Sequence, residues 1–215
     1  MPAISEPTKW HSHEAIKNGK GQSTQGTKLS VGQIQVFLIS VFGQNQSIAE
    51  VTALGRLGQL FIFLGSFNGT IVAPYIARAP VAHLALRYTQ AISLTVVIAA
   101  LLCAAAFLFP SAFLWLLGPK YHGLRVELFL SLIASSLALL SGTLYTLNNA
   151  RQWVYHWTGM ANIIGLITLQ SILIATMNLS STLNVMRFSI VTALYPIIVF
   201  VATALYGYRR LPTPA

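Results

Sequence analysis

Residues 88–109 read YTQAISLTVVIAALLCAAAFLF, a stretch without one charged side chain. At a rise of about 1.5 Å per residue, a helix of about 20 apolar residues crosses the roughly 30 Å of hydrocarbon in a bilayer. This stretch therefore predicts a transmembrane helix, and it makes lipid the solvent in which the rest of the fold has to be explained.

Other apolar stretches of similar length precede and follow it. The six predicted spans cover residues 29–46, 50–77, 88–109, 126–147, 157–177 and 188–208. The first span is the weakest, because Gln33, Gln35 and Gln44 interrupt it. We expect an all-α fold, an integral membrane bundle of six transmembrane helices over residues 29–208. A polar, disordered cytoplasmic head (1–28) precedes the bundle, and a cytoplasmic tail (209–215) follows it.

The composition excludes an ordinary soluble domain and argues against nucleic acid as a partner. Of the 215 residues, 55% are hydrophobic and only 8% are charged, whereas soluble domains carry about a quarter charged residues. The net charge is +9, but the basic residues occur singly in turns and tails rather than in a cluster with aromatics. We interpret them as markers of topology.

Counting Lys and Arg orients the bundle. Nine lie on the side that holds both chain ends: Lys9, Lys17, Lys20, Lys28, Arg78, Arg87, Arg151, Arg209 and Arg210. Three lie on the other side: Lys120, Arg125 and Arg187. Cytoplasmic loops carry the excess of positive charge, so both termini are predicted to be cytoplasmic, as an even number of spans requires.

The second span carries the richest pattern. On a helix, five polar residues fall within a sector of about 80°; they are Thr52, Arg56, Gln59, Ser66 and Thr70. Gly58, Gly65 and Gly69 fall on a separate face, and the last two have the spacing that lets helix backbones approach closely. This helix either packs by its glycines and presents its polar side to a water-filled cavity, or Arg56 reaches the interface and binds nothing.

Amides give a second signal, whereas catalytic chemistry gives almost none. Gln33 and Gln35 are the pair favoured for a cavity, since lipid exposure would be costly for both; interhelical hydrogen bonding is the other reading of such amides.

The chain has no aspartate, and its two membrane-region carboxylates, Glu50 and Glu127, are far apart in the sequence. We therefore expect no enzyme activity, no catalytic residue, no metal site and no cofactor.

Four segments, in order, resemble one half of a known transporter type. They are residues 32–40 (GQIQVFLIS), 51–57 (VTALGRL), 71–78 (IVAPYIAR) and 114–121 (LWLLGPKY). Together they are similar to the C-terminal half of a polysaccharide or O-antigen flippase of the multidrug/oligosaccharidyl-lipid/polysaccharide exporter superfamily.

The resemblance implies a multi-pass protein of the cell inner (plasma) membrane that moves a lipid-linked oligosaccharide by alternating access. Carried over to this chain, Gln33, Gln35, Arg56 and Gln59 would line its cationic substrate cavity. One bundle cannot form a cleft between two, so the resemblance also implies a second six-helix bundle, supplied by homodimerisation or by a companion chain in the same lipid bilayer.

Three other hypotheses stay open at this point. The chain could be a non-transporting scaffold or assembly subunit of an envelope polysaccharide complex, or a truncated inactive fragment. An integral membrane transferase is the third, but it would need a pocket with several acid or base side chains, and the sequence barely supplies them.

Overall fold

The computed structural model describes residues 45–121, 123–179 and 181–210. These residues form helices and turns, with no strand among them. The elements are α1 (Asn45–Phe67), a π-helical segment (Asn68–Val72), α2 (Ala73–Ala77), α3 (Val81–Leu108), α4 (Pro110–Leu117), a 3₁₀ turn (Pro119–Tyr121), α5 (Arg125–Ala150), α6 (His156–Thr176) and α7 (Thr182–Arg209).

Five helical stretches are long and apolar enough to cross a membrane. One runs from Ala49 to Ala77 and joins α1, the π-helical segment and α2; the others are α3, α5, α6 and α7. The all-α prediction is confirmed, and so are five of the predicted spans as helices of this kind. The protein is thus a multi-pass membrane protein in its architecture.

Some predictions fall outside the described residues. The head at 1–28 and nearly all of the first predicted span at 29–46 precede Asn45, and the last five residues of the tail follow Arg210. The first predicted span, which would bring the number of spans to six, therefore stays a prediction. So does the side of the membrane on which the termini lie.

Helix α5 is the centre of the bundle, and it packs against α1, α3 and α7. In its apolar window 39% of the residues are buried inside the protein, against 11% in α6, which packs mainly against α7. The main core contains Leu54 and Leu57 of α1, Leu128 and Leu132 of α5, and Phe188 of α7. These contacts hold α1 in place and so position the polar side of that helix.

The outer surface of the bundle is apolar. Phe63, Leu101, Phe107 and Ile198 are each more than 60% exposed, and they belong to three different helices, α1, α3 and α7. A soluble protein rarely exposes contiguous apolar surface on this scale. In a bilayer the same side chains contact apolar lipid tails, which is the environment that the hydropathy of the spans predicts.

The connection between the third and fourth predicted spans contains a helix, α4, where the sequence predicted only a turn. Pro110 begins it, a position where the missing N–H is not needed, and Gly118 ends it with a φ of 111° that favours glycine. Leu114 is buried in the core, while Trp115 is 76% exposed. The hydropathy pattern of only eight residues does not distinguish a short helix from a turn.

Candidate functional site

The five polar residues of the second predicted span are all exposed and lie on one side of the helix. We call Thr52, Arg56, Gln59, Ser66 and Thr70 the α1 stripe. Ser66 Oγ donates to the Ile62 carbonyl at 3.2 Å, and Thr70 Oγ1 donates to the Ser66 carbonyl at 3.0 Å. Since these two hydroxyls bond within their own helix, Arg56 and Gln59 carry the strongest polar groups that the stripe presents outward.

Arg56 and Gln59 lie one helical turn apart, which is close enough for both to contact one ligand. In the described part of the chain, no hydrogen bond or ion pair joins either side chain to another residue. The other two predicted cavity residues, Gln33 and Gln35, lie outside the described residues. The structure thus places two members of the predicted set together and does not describe the other two.

The glycines predicted for packing differ in their surroundings. A Cβ at Gly58 would lie 3.3 Å from Ser135 Oγ, and one at Gly65 would lie 3.8 Å from Leu139 Cδ1, both on α5. A Cβ at Gly69, in the π-helical segment, would meet nothing within 4 Å. The face of α1 that lies against α5 therefore contains Gly58 and Gly65, while Gly69 is exposed.

A buried polar contact adjoins the stripe. Asn68 Nδ2 donates to Thr143 Oγ1 at 2.6 Å, and Thr95 Oγ1 lies 3.5 Å from the same atom. We call Asn68, Thr95 and Thr143 the Asn68 cluster; it joins the π-helical segment to α3 and α5. The π-helical segment comes shortly before Pro74, which lacks the backbone N–H that a regular helix uses. Within this segment Asn68 is buried, whereas Ser66 and Thr70 on either side of it are exposed.

A small cleft lies beside the Asn68 cluster. Asn68, Thr95 and five apolar side chains line it, and the space inside is about 20 Å³. A cavity needs roughly 10–15 Å³ measured in this way to hold one water molecule. The cleft therefore has room for water but not for a sugar or a phosphate group.

A second buried amide connects three spans near the opposite end of the bundle from Glu50. Asn148 is fully buried; its Oδ1 accepts from the Tyr88 hydroxyl at 2.8 Å, and its Nδ2 donates to the Phe200 carbonyl at 2.9 Å. Next to it, Arg151 Nη1 donates to the carbonyls of Ala77 and Ala79 at 3.3 Å. Arg151, interpreted from the sequence as a topology marker, thus also binds backbone carbonyls that the end of α2 leaves without helical partners.

The sequence did not reveal the partners of these amides. Asn68 and Asn148 were visible as amides in apolar stretches, but their partners are 75 and 52–60 residues away in the chain. Such partners depend on how each helix is rotated about its axis, which composition does not specify. The burial of Asn148 gives it a structural rather than a ligand-binding setting.

Groups suited to catalysis or metal binding do not converge in the described residues. No three His, Cys, Asp or Glu side chains lie together there. Glu50 accepts a hydrogen bond from Thr182 Oγ1 at 2.7 Å, which links the start of the second span to α7. Glu127 lies in the first turn of α5, on a different helix.

Comparisons with family models, curated proteins and solved structures found no match to this chain. The likeness to flippases described above therefore stays a prediction.

Proposed function

We propose that this chain is half of a lipid-linked oligosaccharide flippase and that the α1 stripe lines its substrate path. The observation that carries the proposal is the exposure of Arg56 and Gln59 on α1. The same helix has Gly58 and Gly65 on its face against α5. An arginine at the centre of a span raises the free energy of insertion by about 2.5–3.5 kcal/mol. Arg56 lies between the start of the stretch Ala49–Ala77 and its centre, so its own cost is below this figure. An anionic partner such as a diphosphate would offset that cost.

The chemistry of the stripe suits such a substrate. A guanidinium forms charge-assisted hydrogen bonds with phosphate oxygens, and these are about twice as strong as neutral ones. The Gln59 amide, with Gln33 and Gln35 as predicted companions, can both donate to and accept from sugar hydroxyls. The apolar outer surface of the bundle leaves the lipid tail of the substrate in the bilayer.

Transport by this mechanism needs two bundles. In transporters built from repeats, the site lies near the bilayer midplane between two bundles that rock against each other. We propose that a second six-helix bundle, from another copy of this chain or from a companion chain, completes the cleft in the inner membrane. Both termini of the chain would be cytoplasmic.

Reconstitution tests the proposal. Purified protein in vesicles, with its companion chain if one co-purifies, should move a fluorescent undecaprenyl-diphosphate-linked oligosaccharide between leaflets. Arg56→Ala should lower the initial rate at least tenfold, which corresponds to about 1.4 kcal/mol, whereas Arg56→Lys should retain part of it because the charge remains.

The matched control is Arg125→Ala, since Arg125 is also exposed but begins α5, away from the stripe. This variant should flip at the wild-type rate. Vesicles in which the wild type moves no substrate would contradict the proposed function, and an Arg56→Ala variant that inserts and flips normally would remove Arg56 from the site.

One observation favours a second candidate, a scaffold subunit of an envelope polysaccharide complex. Asn148 joins α5 to Tyr88 of α3 and to the Phe200 carbonyl of α7, and such fixed contacts between helices suit a scaffold. Co-purification with a glycosyltransferase or polymerase, combined with no flipping in vesicles, would support this candidate.

A further inference from the structure

Arginines concentrate at one end of the described bundle. Because the spans alternate in direction, this end gathers the last residues of α2, α5 and α7 and the first residues of α3 and α6. Five arginines lie there: Arg78, Arg87, Arg151, Arg209 and Arg210. The two acidic residues in the described part of the chain, Glu50 and Glu127, lie at the starts of the stretch Ala49–Ala77 and of α5, and so at the opposite end. We call the basic end the arginine end.

Three aromatic rings meet at the arginine end, where α6 begins and α7 ends. The Tyr206 ring is edge-on to two others, with centroids 5.3 Å from Tyr155 and 6.1 Å from Trp157. Tyr155 and Trp157 stack on each other at 6.3 Å. Trp157 and Tyr206 are also exposed on the outside of the bundle. Amphipathic rings at the ends of spans prefer the level of the lipid headgroups, so we place this cluster at that level.

Arg210 extends the aromatic cluster with a charge. Its guanidinium carbon lies 4.5 Å from the centre of the Tyr206 ring. Stacking on a ring uses the flat face of the guanidinium and leaves the N–H groups around its edge free to donate. That edge matches two phosphate oxygens at once. We call Tyr155, Trp157, Tyr206 and Arg210 the Arg210 site; it presents a phosphate donor directly beside exposed apolar rings.

We propose that the Arg210 site binds an anionic phospholipid, with the guanidinium of Arg210 on the phosphate and the rings of Trp157 and Tyr206 against the start of the acyl chains. Charge complementarity selects this occupant. A zwitterionic phospholipid has the same phosphate but carries its own cation, which the other arginines of this end repel. The proposal does not rest on the flippase function, because the Arg210 site lies on α6 and α7 and the α1 stripe lies on another helix.

Trp157 reports directly on the lipid that contacts it, since brominated acyl chains quench indole fluorescence on contact. A reporter protein carries Trp10→Phe and Trp115→Phe, which leaves Trp157 and the buried Trp153. It is reconstituted in vesicles of equal parts phosphatidylglycerol and phosphatidylcholine, with bromine on one lipid or on the other. The surface charge is then the same in both samples. Quenching should show a preference of about fivefold for phosphatidylglycerol, which corresponds to about 1 kcal/mol.

Variants of neighbouring arginines separate a site from a general attraction of charge. In the reporter protein, Arg210→Ala should remove most of the preference. Arg210→Lys should retain part of it, because the charge remains but the planar fork is lost. The matched control is Arg209→Ala, which removes the same charge one residue away; in the described part of the chain, the cation–π contacts involve Arg87 and Arg210. This control should keep most of the preference.

Three results would overturn the proposal. Equal quenching of the reporter by the two brominated lipids would show that the site does not select anionic lipid, as expected if an acidic protein segment occupied it. An Arg210→Ala protein with the full preference would remove Arg210 from the site. Equal losses in Arg210→Ala and Arg209→Ala would show that net charge, rather than the stacked arginine, attracts the lipid.

Discussion

At the scale of single residues, buried amides give this bundle its specific contacts. Asn148 bonds to both Tyr88 and the Phe200 carbonyl and so joins α3, α5 and α7. Measured hydrogen bonds between transmembrane helices average about 0.6 kcal/mol and reach about 1.7 kcal/mol. Lipid tails are as apolar as leucine side chains, so such polar contacts can select one helix arrangement over another.

Replacing Asn148 tests this role. Asn148→Ala removes two hydrogen bonds and leaves a small cavity, so the free energy of unfolding in detergent should fall by about 1–3 kcal/mol. The control is the neighbouring Asn149→Ala, because Asn149 is exposed and should change stability by less than about 0.5 kcal/mol. Equal losses of unfolding free energy in the two variants would show that the buried hydrogen bonds of Asn148 do not stabilise the bundle.

Sequence reasoning found where these amides lie but not what they do. Hydropathy predicts a span because lipid requires a helix of sufficient apolar length. A continuous segment of the sequence is enough to show that length. The partner of Asn148 or Asn68 depends on tertiary packing, which is not local. Arg151 shows the same limit, since a basic residue at a span end fits a topology rule equally well with or without its bonds to Ala77 and Ala79.

At the scale of elements, the tightest glycine contacts lie in α6 and α7 rather than in the predicted α1 pattern. A Cβ at Gly165 would overlap the Tyr195 hydroxyl, and one at Gly207 would overlap the Trp153 ring. The Tyr195 hydroxyl also donates to the Ala161 carbonyl at 2.8 Å. Neither glycine is part of a Gly-xxx-Gly pair, so spacing alone did not identify them; each gives room for a large aromatic on another element.

This contact predicts a difference between two glycines of one helix. Gly165→Ala should destabilise the protein by about 1–3 kcal/mol, because the new methyl group displaces Tyr195 from a packed interface. Gly159→Ala, on the same α6 but with nothing within 4 Å of its Cβ, should be neutral or slightly stabilising, since alanine favours helix over glycine. Thermal unfolding of both variants in detergent measures the difference.

The order of the two melting temperatures tests the packing of α6 against α7. A Gly165→Ala protein that melts at or above the temperature of Gly159→Ala would contradict the α6–α7 packing. The proposed role of Arg56 would be unaffected, because the α1 stripe lies on a different helix from both glycines.

At the scale of the whole molecule, the described bundle is organised around α5, with a largely apolar exterior and the exposed α1 stripe. Five spans lie in the described residues, and the sequence predicts a sixth at 29–46. The number of spans matters for function, because an even number places both ends of the chain on one side.

Locating the two ends of the chain is therefore the most direct test of the six-span account. Reporters active on only one side of the membrane, fused before residue 1 and after residue 215, should both report the cytoplasmic face. Ends on opposite faces would mean an odd number of spans, and they would contradict the six-helix bundle.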